Sequence, residues 1–119
     1  KVANECHMVE DSRSKAMCFD GLFRGFNNLT KNDVTKKYKI CKDMPVDWQE
    51  KCIDIQASAS YQQGDSVLPL KICAYSSDGN VKRSCYQMLY GMAKYYEYRP
   101  GRREFCLKIP EVYRSSCPI

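Results

Sequence analysis

A chain of 119 residues with 44% hydrophobic and 28% charged side chains has the composition of one globular domain, not of a disordered segment. Eight cysteines without a Cys-x-x-Cys pair argue for disulfides over zinc, and a formal charge of +5 is too small to mark nucleic-acid binding. No apolar run reaches the ~20 residues needed to span a bilayer.

The N-terminal Lys1-Val2-Ala3-Asn4-Glu5 has no signal-peptide pattern, so a mature or trimmed chain is expected. The cysteine content points to an oxidising compartment, secreted, extracellular or periplasmic.

The cysteines order the rest of the chain. Cys6, Cys18, Cys41, Cys52, Cys73, Cys85, Cys106 and Cys117 alternate short and long gaps of 11, 22, 10, 20, 11, 20 and 10 residues. First members of successive pairs lie 35, 32 and 33 residues apart. A steady period of this size marks stacked supersecondary units. The expected fold is all-α, one domain over 1–119, with about 3.5 disulfide-stapled helical hairpins of ~33 residues each, as a short solenoid or compact bundle. Its units run approximately over 1–30, 31–64, 65–99 and 100–119.

In chain order, long helices are predicted over 11–26, 45–62 and 78–98, and the short helices before the second and third over 31–43 and 66–75. Asp11, Pro45, Asp78 and Pro110 each stand seven positions before the second cysteine of a pair. Aspartate caps free N–H groups and proline fits a first helical turn, so all four read as helix starts. Four positions before the same cysteine stand Ser14, Trp48, Val81 and Tyr113, three of them apolar. Gly64-Asp65 and Pro100-Gly101 read as breaks between units. Gly21, Gly25 and Gly91 fall inside predicted helices, where glycine is costly, which suggests close helix–helix approach.

Two pairing schemes are physically sensible. Either each short pair closes on itself, or both its cysteines lie on one continuous helix and bridge to a neighbour. Pro45, Asp78-Gly79 and Pro110 lie between the paired cysteines, and an interior proline costs ~3 kcal/mol or more. Bends are therefore expected there, with disulfides Cys6–Cys18, Cys41–Cys52, Cys73–Cys85 and Cys106–Cys117. The same prolines oppose a twin-cysteine hairpin of the mitochondrial intermembrane space, whose cysteines share one helix. No family is identified from these residues. The architecture resembles cysteine-rich helical-repeat proteins, a likeness that implies a fold and no activity.

Candidate chemistry is sparse. His7 is the only histidine and the only side chain that could serve a Ser–His–Asp arrangement as base. With every cysteine paired no thiol nucleophile remains, and no catalytic residue, metal or cofactor is expected. Asp43, Asp47 and Glu50 gather around Trp48, a pattern that could hold a sugar. Asp47 and Glu50 also suit the first turns of a helix, and Trp48 suits the core.

Lys31, Lys36, Lys37, Lys39 and Lys42 read as the solvated face of a helix. Tyr95, Tyr98, Arg99, Arg102 and Arg103 form the expected binding patch, because tyrosine and arginine combine contact area with directional polar groups. Asn28-Leu29-Thr30 fits the glycosylation acceptor pattern, in an expected inter-helix connection.

These features point to a non-catalytic protein-binding or assembly module, with a protein partner or a second copy as its target. An anionic surface or glycan is a secondary partner. A small-ligand or lipid carrier and a carboxylate-based hydrolase are the alternatives.

Overall fold

A computed structural model describes residues 2–96 and 99–114, with side chains described over 5–95 and 101–114. Among the described residues seven helices alternate short and long: α1 (Val2–His7), α2 (Ser12–Thr30), α3 (Val34–Lys42), α4 (Val46–Gln62), α5 (Leu68–Tyr75), α6 (Gly79–Tyr96) and α7 (Arg99–Lys108). A 3-10 turn at Glu111–Tyr113 follows, and there is no strand among the described residues.

Local chemistry sets most of these ends. The Asp11 carboxylate accepts from the Ser14 N–H at 2.9 Å and starts α2, and Asp33 does the same for α3 through Lys36 N–H at 3.0 Å. Pro45 precedes α4 with an extended backbone, and Asp47 sits in its first turn near the positive end of the helix dipole. Gly64 closes α4 at φ 95°, a conformation that favours glycine. The Gly64 N–H then donates to Tyr61 O at 3.0 Å and the Asp65 N–H to Ser60 O at 3.2 Å, the pair of hydrogen bonds of a Schellman end. The Asp65 carboxylate turns the chain into α5 by accepting from Val67 and Leu68 N–H at 2.9 and 2.8 Å. Asp78 accepts from Asn80 N–H at 2.8 Å to open α6.

Helix α4 is the centre of the packing, in contact with α2, α3, α5 and α6. It buries Cys52, Ile53, Gln56, Ala57, Ala59, Ser60 and Tyr61, where small side chains let neighbours approach. The long helices pack in series, α2 on α4 and α4 on α6. The molecule measures 45 × 26 × 24 Å, and its radius of gyration of 14.6 Å exceeds the ~13.5 Å of a compact domain of this length, so it is elongated. The core runs from Phe19 and Phe23 through Ile72 to Leu89, all fully buried. Trp48 packs at its edge, stacked on Phe19 with ring centroids 4.2 Å apart.

Disulfides join Cys6 to Cys18, Cys41 to Cys52 and Cys73 to Cys85, each tying a short helix to the long helix that follows. Closing a loop of this length stabilises the fold by roughly 3 kcal/mol in the chain-entropy picture. For the expected pair Cys106–Cys117, Cys117 lies outside the described residues. Three disulfides at bonding distance are consistent with an oxidising compartment. No helix among the described residues is long and apolar enough to cross a membrane.

Two expectations are corrected. A β-carbon added at Gly21, Gly25 or Gly91 would meet nothing within 4 Å, so these glycines do not mark close helix contacts. Lys37 does not belong to the wet face of α3. Its side chain is 1% exposed.

Candidate functional site

The predicted patch is only partly described. Tyr95 stands on α6 with 83% of its surface exposed. On α7, Arg103 is exposed and Arg102 half-buried. Arg99 opens α7 without a described side chain, and Tyr98 lies outside the described residues.

Next to Tyr95 the structure assembles a site the sequence reading missed. Tyr86, Tyr90 and Lys94 recur every four residues on one face of α6. Opposite them stand Ile109, Tyr113 and Arg114 from the turn after α7, and between the two walls lies an open cleft of about 300 Å³. Tyr86 is buried and stacks on Tyr113 at 5.6 Å between centroids. The Lys94 ammonium sits 5.9 Å above the Tyr90 ring, and Lys82 and Arg83 lie 5.9 and 5.7 Å from the Tyr113 ring. Arg114 Nη1 donates to the carbonyls of Cys106 and Ile109, at 3.4 Å each, which anchors the second wall to the end of α7.

Gly91 lines the floor and leaves it open, having no side chain to fill it. Burial, and behind it Tyr113, raises the Tyr86 phenol pKa, so that hydroxyl is neutral and can both donate and accept. No acidic residue among the described ones lines this cleft. Aromatic faces rimmed by Lys94 and Arg114 suit an anionic partner with apolar content. The available signal was the tyrosine spacing on α6, together with Tyr113 at the register of Trp48.

The catalytic candidates are not brought together. His7 is exposed on α1. Asp43, Asp47 and Glu50 are exposed, and one face of the Trp48 ring is covered by Phe19 while Lys51 lies 5.7 Å from its centre. No group of three or more residues able to hold a metal occurs among the described residues.

Among the described residues Asp54 is the one carboxylate with a strongly shifted pKa, raised to about 6 by burial, with Glu50 adding to the shift and the Ser84 hydroxyl and Lys51 opposing it. Ser84 Oγ donates to Asp54 Oδ2 at 3.1 Å, across the α4–α6 contact. Sequence reasoning did not single it out, because no pattern distinguishes one helical aspartate from another.

A second buried polar cluster lies where α2, α3 and α4 meet. Lys37 Nζ donates to Asn27 Oδ1 at 2.6 Å, Thr30 Oγ1 at 2.8 Å and Asn27 O at 3.2 Å. Ser60 Oγ lies 3.1 Å from Asn27 Oδ1 and 3.0 Å from Gln56 O. The lysine is a structural pin between helices with no route to a ligand. Asn28, the glycosylation candidate, is exposed but sits in the last turn of α2, not in a connection, and its Oδ1 accepts from Gln63 Nε2 at 2.8 Å.

Comparison with known family models, characterised proteins and solved structures finds no match to this chain.

Proposed function

We propose that the protein is a non-catalytic binding module that works outside the cytosol, extracellularly or in a periplasm, and grips an acidic segment of a protein partner. The observation that carries this is the cleft of Tyr86, Tyr90 and Tyr113 rimmed by Lys94 and Arg114, with exposed Tyr95 beside it. Large rings with few rotatable bonds lose little entropy on contact, and a scaffold cross-linked by disulfides loses little more. Of the remaining predicted residues, Arg102 and Arg103 on α7 would add cationic groups to the same surface.

A repeat of ~33 residues explains why the cleft lies at this end. The residue after the second cysteine of one unit stacks on the residue four before the second cysteine of the next: Phe19 on Trp48, and Tyr86 on Tyr113. In the first position the stack is part of the core; in the second the hydroxyls, Gly91 and the cations turn the same joint into a recognition surface.

The test compares wild type with Tyr90→Ala/Lys94→Glu in fluorescence-polarisation binding to a library of acidic peptides, with circular dichroism as a folding check. Saturable binding that weakens about tenfold in the double variant and fades with salt supports the proposal. Equal binding by both folded proteins, or no saturable binding at all, overturns it.

A further inference from the structure

A second cleft, of about 460 Å³, lies on a different part of the molecule, between α3 and the junction of α5 with α6. One wall is a single face of α3 carrying Thr35, Lys39 and Lys42. The other is Tyr75, the last residue of α5, followed by Ser76 and Ser77. Its lining has two ammonium groups, three aliphatic hydroxyls and no carboxylate. Lys39 and Lys42 are exposed, three residues apart in the last turn of α3, and make no ion pair among the described residues.

The hydroxyl geometry adds to this. Ser76 Oγ accepts the Asp78 N–H at 3.1 Å, which leaves its own proton to be donated outwards. Tyr75 is 49% exposed, and its ring is held at 4.7 Å from Tyr38, whose hydroxyl donates to the Ile72 carbonyl. Tyr75 thus packs against the anchored Tyr38 ring at a tilt of 44° and leaves about half of its surface open.

The geometry points to a binding site for a sugar bearing an anionic ester, sulfate or phosphate, at this cleft. Lys39 and Lys42 hold the ester oxygens through charge-assisted hydrogen bonds. Ser76, Ser77 and Thr35 exchange hydrogen bonds with sugar hydroxyls, and Tyr75 provides the flat apolar face on which the C–H side of a sugar ring rests. The cleft volume falls in the range of small-ligand sites. The proposal shares no lining residue with the tyrosine cleft and does not depend on it.

The experiment is calorimetric titration of the whole chain with a heparin-derived tetrasaccharide, its desulfated form, glucose 6-phosphate and a single-stranded DNA of matched charge. Saturable binding of the sulfated probe or of the sugar phosphate, with the desulfated form silent, is expected, and the two esters show which source is preferred. The Lys39→Gln/Lys42→Gln variant weakens that binding about tenfold and Tyr75→Ala about threefold. A charge-matched control, Lys36→Gln/Lys71→Gln, leaves it unchanged, because neither residue lines this cleft. An equal loss in the control pair would reduce the effect to diffuse charge and sink the proposal. So would DNA binding as tight as the sugar ester, or the absence of saturable binding to either ester.

Discussion

Among the described residues a lysine and an aspartate are sheltered from water, and their polar atoms are treated in opposite ways. Lys37 on α3 is buried but finds three acceptors between 2.6 and 3.2 Å, all supplied by the last turns of α2. Asp54 on α4 is less enclosed, yet only its Oδ2 is bonded, while Oδ1 is shielded and has no hydrogen-bond partner among the described residues. Burial lowers the lysine pKa to about 8, against the attraction of Asp33, so it stays charged at neutral pH. Burial raises the aspartate to about 6, close to where it holds its proton. Burial pushes both groups towards their neutral forms, and what separates them is that the fold gives the ammonium a set of acceptors and leaves one carboxylate oxygen without a donor.

The largest expected effect breaks the satisfied side of this contrast. Asn27→Ala removes the Oδ1 that Lys37 Nζ meets at 2.6 Å and Ser60 Oγ at 3.1 Å, leaving a buried ammonium short of a partner. The loss should be about 3 kcal/mol, read as a fall in the urea midpoint. An unchanged midpoint would mean the cluster is not a pin.

A smaller effect, of opposite sign, tests the unsatisfied side. The unfolded Asp54 carboxyl titrates near 3.8 and the folded one near 6. Below the first value both states hold the proton and no penalty exists. As pH rises towards the second the unfolded chain ionises first, so the native state loses stability, and above it the loss is constant. Asp54→Asn, neutral throughout, should therefore match wild type below pH ~4 and exceed it by about 2 kcal/mol at pH 7, a figure reduced because the group is partly solvated. Lys37, at about 8, titrates outside this window, so urea curves taken across it isolate the aspartate. A pH-independent difference would remove the contrast between the two groups.

The smallest effect provides a scale for both. Gly21 lies on the outer face of α2 with open space where a side chain would be. Gly21→Ala should raise stability by up to ~1 kcal/mol at every pH, through helix propensity alone. Destabilisation in thermal melts would show that α2 needs the glycine for a reason outside its own helix.

Much of the fold was legible because it is governed by short-range chemistry. Asp11, Pro45 and Asp78 start helices where capping and a fixed φ require it, and Gly64 ends one. The candidate site was less legible. Tyr95, Arg102 and Arg103 stood out as a run along the chain, whereas the cleft draws Tyr86 and Tyr90 from α6 and Tyr113 from the turn after α7. Linear clustering reports neighbours in sequence, and a cleft needs neighbours in space.

The same division holds for the whole molecule. Cysteine spacing and helix-start residues by themselves determined an all-helical chain of alternating short and long segments, because caps, prolines and short disulfide loops act within a few residues of one another. Only the tertiary structure decided that Lys37 turns inward while Lys36 and Lys39 stay in water, that three helix glycines face open space, and that Tyr86 meets Tyr113. Those outcomes depend on which face each helix presents to its neighbours, a choice made by the packing of the long helices against α4 and not by any local stretch of sequence.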